Sequence, residues 1–150
     1  MYRKQGLPLR LLAIALIVAL VLPFGANAVE QVVQPRASDY LSSYSAYVSV
    51  SGGGKIKVYY SVSGTEYIDS LGAKSIAIYE STNNSSWTWK KTFTSTSTPS
   101  MMSYDDAYHS GYVNYQGVAG RYYKAYVCVW GGDNGAGDNR YFWTSVKQAT

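Results

Sequence analysis

Cysteine is all but missing from this chain: Cys128 stands alone among 150 residues, so no intramolecular disulfide can form. Histidine is as scarce, with His109 the single copy. One thiol and one imidazole cannot complete a closed zinc site, which takes four N or S ligands. A Ser-His-acid triad would have to use His109, yet no G-x-S-x-G elbow or similar nucleophile signature occurs. Acids are few, and only Asp105 and Asp106 are adjacent. Neighbours on a strand point to opposite faces, so these two read as solvated turn residues rather than a catalytic dyad. A small hydrolase built on Asp105, Asp106 and His109 is therefore the weaker reading, and no enzyme or cofactor is expected. Internal repeats are also absent, which excludes propellers and solenoids.

What is present begins with targeting. Arg3, Lys4 and Arg10 precede an apolar run from Leu11 to Phe24, and Ala26 and Ala28 close it with an A-x-A pattern. These are the three parts of a secretory signal, with cleavage expected after Ala28. A transmembrane anchor is the rival, but fourteen helical residues reach only about 21 Å against a hydrocarbon core of roughly 30 Å. Pro23 also stops the helix from lengthening. The expected location is extracellular, with no membrane contact after cleavage.

Removing residues 1–28 changes the charge argument. Three of the thirteen basic residues leave, so ten face nine acids and the net charge falls from +4 to +1. Nucleic-acid binding needs clustered Lys and Arg, and Lys90-Lys91 is the only adjacent basic pair left. No nucleic acid or anionic membrane is expected as partner.

Residues 29–39 hold Pro35, show no sustained period, and read as a flexible lead-in. Residues 40–150 then alternate as strands do. Tyr44, Ala46, Val48 and Val50 share one face, and after Gly52-Gly53-Gly54 so do Ile56, Val58, Tyr60 and Val62. Two period-two runs joined by glycines predict a β-hairpin. Further strands are expected at Ser75–Ser81, Trp87–Thr94, Tyr108–Tyr115, Arg121–Trp130 and Tyr141–Val146, with one helical turn over Glu66–Leu71. Trp87 and Trp89 could form a sugar-stacking platform, but they share a face with Phe93 in a regular strand, so core packing is the favoured reading. Seven or so short strands in this length predict an antiparallel β-sandwich, with a small closed barrel as alternative.

The stretch Gly120-Arg121-Tyr122-Tyr123-Lys124-Ala125-Tyr126-Val127 resembles the penultimate strand of immunoglobulin and fibronectin type III sandwiches. That resemblance implies a tyrosine, here Tyr123, bonding back to upstream backbone. A second resemblance rests on Ile68-Asp69, Leu71-Gly72-Ala73, Ile78-Tyr79-Glu80-Ser81, Trp87, Trp89, Lys91-Thr92-Phe93 and Met101-Met102. It continues through His109-Ser110-Gly111, Tyr115, Gly117, Gly120, Tyr123 and Ala125. In that order they resemble a family of small exported proteins of Gram-positive gut bacteria, a domain of unknown function. The resemblance brings no activity, ligand or site residue.

Two candidate sites remain. The loop Gly131–Asn139 carries Asp133, Asp138 and Asn139 as oxygen donors for calcium, but its spacing is not that of an EF-hand and its glycines are what a hairpin loop requires. Aromatics are abundant, with sixteen Tyr and four Trp. Trp130 and Trp143 flank the glycine loop, and with Tyr141 they are the candidate rim for a glycan or a protein surface. Cross-strand pairing that stabilises the hairpin is the alternative use of the same rings. The expectation is a secreted, non-catalytic binding or surface-interaction module, with carbohydrate binding as its specific form.

Overall fold

A computed structural model describes residues 38–150; the expected export signal over 1–28 and residues 29–37 of the expected lead-in lie outside the described residues. Seven strands follow in order: β1 (Leu41–Ser51), β2 (Lys55–Ser81), β3 (Thr88–Thr94), β4 (Met102–Gln116), β5 (Tyr122–Asp133), β6 (Ala136–Trp143) and β7 (Lys147–Gln148). A 3₁₀ turn, Pro99–Met101, leads into β4. All pairings are antiparallel.

The expected hairpin is there, with Tyr44 opposite Val62, Val48 opposite Val58 and Val50 opposite Ile56. Its apolar face lies in the core, where Val48, Ile56, Val58 and Val62 are buried. The rest departs from two separate sheets, because all seven strands belong to one hydrogen-bonded sheet that curls like half a barrel. The cause is β2, whose 27 residues serve both ends of the sheet. Its first part pairs with β1 and β4, and its last part with β3 and β5. Register shifts between Ser63 and Ile68 and between Ala73 and Ser75 mark where it bends; extra residues in one strand bend and twist a sheet. Glu66–Leu71 is therefore strand and not a helical turn. Only a side chain's absence lets β4 pass there: a Cβ on Gly72 would collide with the Met101 carbonyl oxygen, and its φ is +151°.

The concave side holds the core, with Leu71, Ile76, Ile78, Val127 and Val129 joining the hairpin residues. β1 meets the β5–β6 hairpin across that interior: Leu41 fills the space over Gly131, and Tyr44 lies 5.1 Å from Phe142, centroid to centroid. Ser38 hydrogen-bonds the Asp138 carboxylate and accepts the Leu41 amide, so the last residues of the lead-in are tied to the sheet.

One buried polar cluster pins the far end. The fully buried Tyr123 hydroxyl donates to Glu80 Oε2 at 2.5 Å and accepts the Val118 amide at 2.8 Å, five residues upstream. This is the backbone link expected of Tyr123, made with a carboxylate as second partner. Arg121 and Lys90 reach Glu80 Oε1 at 2.5 and 3.1 Å. Burial alone would raise the Glu80 carboxyl; the hydrogen bonds from Tyr123, Lys90 and Arg121, with the Lys90 charge, outweigh it and hold the group below its ordinary value.

Lys90 also corrects the reading of β3. Ile78 pairs with Lys91 and Tyr79 with Trp89, which leaves Lys90 as an extra residue in β3. One extra residue inverts the side-chain alternation beyond it. Phe93 therefore faces the core with Ile76, while Trp89 lies outside opposite Tyr79 and is 57% exposed.

Candidate functional site

The glycine loop turns out to be short. β5 ends at Asp133 and β6 begins at Ala136, so the connection is Asn134-Gly135, with φ of +49° and +81°. Two successive positive φ angles make the tight hairpin turn that an Asn-Gly pair favours. That turn sets the register: Trp130 faces Asn139, Cys128 faces Tyr141 and Tyr126 faces Trp143. With no shift along this ladder, Trp130, Tyr141 and Trp143 all project from the convex face.

Tyr141 and Trp143 are joined by a residue not anticipated from the sequence, Tyr126. Its ring is 4.8 Å from Trp143 and stacks on Tyr141 at 5.9 Å. Tyr79 meets the Trp143 ring edge-on at 5.0 Å. Lys124 lies between two indoles, its Nζ 4.3 Å from the ring centroids of both Trp87 and Trp143. Tyr141, Trp143 and Tyr126 keep 59, 46 and 36% of their surface exposed. The signal for Tyr126 was present: an Asn-Gly turn at 134–135 places it opposite Trp143.

Trp130 is used differently. Its ring lies against Gly132 and Gly137, where any Cβ would collide with it, and carries the Lys74 ammonium 3.5 Å from its centroid. Its Nε1 donates to Ser70 Oγ at 2.9 Å. These contacts fix the hairpin to β2.

The calcium candidates do not converge. Asp138 turns to Ser38 and Arg140, Asn139 lies beside Cys128, and Asp133 lies next to Asp69 at the turn. A hydrogen bond with Asp69 raises the Asp133 carboxyl, and the Asn134 amide donates to Asp69 at 2.7 Å. Among the described residues no three His, Cys, Asp or Glu side chains group to hold a metal ion.

The hydrolase candidates are each engaged elsewhere. Asp105 is exposed with φ of +52°, and Asp106 accepts Ser103 Oγ and the Ala107 amide. His109 Nε2 and the Tyr60 hydroxyl share the Ser100 carbonyl, at 3.0 and 3.3 Å. The same Nε2 lies 3.2 Å from the Tyr60 hydroxyl, so imidazole, phenol and carbonyl form one local hydrogen-bonded group. Cys128 is buried, and burial raises its thiol.

Over the described residues, fold and surface define an all-β domain with its one cysteine free, displaying an aromatic face on one curled antiparallel sheet. Comparison with protein-family models, curated proteins and solved structures yields no match.

Proposed function

We propose that this chain is an exported, non-catalytic binding module whose recognition face is the convex surface of β5 and β6, with a carbohydrate as ligand. The observation that carries the reading is the contact set Trp143–Tyr126–Tyr141: three large rings kept partly in solvent, yet fixed by pairing on adjacent strands. Rings held this way lose little conformational entropy on binding and offer apolar faces for the C–H faces of pyranose sugars. The hydrogen bonds that occupy Asp106 and His109 support the non-catalytic part of the reading. The resemblance of residues 120–127 to one strand of immunoglobulin-type sandwiches carries no ligand.

The test is a glycan array with polysaccharide pull-down. Wild type should give a signal that Trp143→Ala and Tyr141→Ala each weaken, while the far-UV spectrum and unfolding transition persist. No signal across broad glycans would end the carbohydrate assignment.

A further inference from the structure

We infer that the other end of the convex face holds a second saccharide site, a trough crossing β1, β2 and β4 that takes a neutral pyranose unit. It shares its ligand class with the Trp143 face and rests on that reading, but different residues build it. The register sets Ser45, Ser61 and Ser110 in one row across the three strands, and Tyr47, Tyr59 and Tyr112 in the next. Adjacent rows on one face are about 7 Å apart, so short side chains beside tall ones leave a depression. Its volume is 310 Å³, within the range of small-molecule sites, and Tyr108 stands on the side away from the tyrosine row. Three strands about 4.8 Å apart give a floor roughly 10 Å across, room for one or two pyranose rings.

The chemistry of the lining selects the ligand. The serine hydroxyls of the floor each donate and accept, and the Ser45 and Ser61 Oγ atoms are 2.8 Å apart, as interchangeable in role as sugar hydroxyls. The wall is prearranged: Tyr47 stacks on Tyr59 at 5.0 Å and Tyr59 meets Tyr112 at 5.5 Å. Among the described residues no acid or base lines the trough, and the neighbouring Lys57 ammonium is held 4.6 Å from the Tyr112 ring centroid. A charged ligand would find no counter-ion on the floor. An extended peptide adds to a sheet at its edge, whereas this trough lies across the face.

Amide and indole shifts of isotope-labelled protein, titrated with cellotetraose, xylotetraose, chitotetraose, mannotetraose and an anionic galacturonate tetramer, test the site. The expected result is saturable movement of the Ser61, Tyr59 and Tyr112 amides with at least one neutral tetramer. Ser61→Trp, which fills the trough, and Tyr112→Ala, which lowers its wall, should each weaken that response about tenfold or more. Trp143→Ala should leave it intact, and the Trp143 indole reports the other face separately. Movement at the trough with a silent indole would sink the Trp143 reading and keep this one. The trough inference is overturned if no neutral tetramer moves those amides. It is equally overturned if only the anionic tetramer does, or if both trough variants respond like wild type.

Discussion

Removing a single oxygen atom, that of the Tyr123 hydroxyl, should weaken the whole sheet. Tyr123→Phe keeps the ring in its fully buried place and deletes both hydroxyl contacts, to Glu80 Oε2 and from the Val118 amide. A hydrogen bond to a charged partner contributes about 1.5–3 kcal/mol. Val118 is 51% exposed, so its freed amide can take water and adds little. The expected loss is about 2–3 kcal/mol, or roughly 8–12 °C in Tm for a domain of this size. Urea unfolding followed by tryptophan fluorescence measures it, and a second arm uses pH. The Glu80 carboxyl is held low in the folded state, so its contribution is complete above the unfolded value of about 4.3 and is lost as pH falls through the folded one. Without the Tyr123 hydroxyl the carboxyl loses one of the bonds that lower it, and stability should vary less with pH on the acid side. A change below about 0.5 kcal/mol at neutral pH, or an unaltered acid limb, would refute the role given to this cluster.

Burial pushes both Tyr60 and Tyr123 up to about 12, Tyr123 with help from its bond to Glu80, so the folded state favours their protonated forms. Their contribution is full below the unfolded value near 10 and is lost as pH rises through about 12, amounting to about 3 kcal/mol for each group; alkaline unfolding of wild type, Tyr60→Phe and Tyr123→Phe should divide it. Gly72→Ala places a Cβ on the Met101 carbonyl, a backbone collision that should cost about 3 kcal/mol or more and appear as lost soluble yield or a steep fall in Tm. Cys128, buried with its thiol raised, should resist alkylation in native buffer and react fully in denaturant; rapid native labelling would contradict its burial. Trp89→Ala, on the outer face of β3, should change stability by under about 1 kcal/mol, whereas a core tryptophan would lose about 3–5 kcal/mol.

Local pattern carried much of this architecture. Alternation in Tyr44–Val50 and Ile56–Val62 names the buried face of the first hairpin, because side chains two apart share a face and only one face can be dry. The Asn-Gly pair at 134–135 likewise contains the register of β5 against β6 and hence the meeting of Tyr126 with Trp143. Its neighbouring glycines suggested a longer loop, yet Gly132 and Gly137 are strand residues under the Trp130 ring.

What alternation cannot convey is a residue that steps out of it. Lys90, the extra residue of β3 that reaches Glu80, puts Trp89 on the outer surface where core was expected, and Trp87 lies half-buried against the Lys124 ammonium. The partner that causes this lies ten residues away in sequence, across the β2–β3 pairing. The bends in β2 hide one long strand as two short ones, so one curled sheet read as two flat ones. The tyrosine row illustrates the same division: in β1, β2 and β4 a tyrosine stands two residues from a serine, a spacing that puts both on one face of each strand. Only the pairing of distant strands aligned those rows into a wall and a floor, since register between segments some fifty residues apart is set by the dry interior they share.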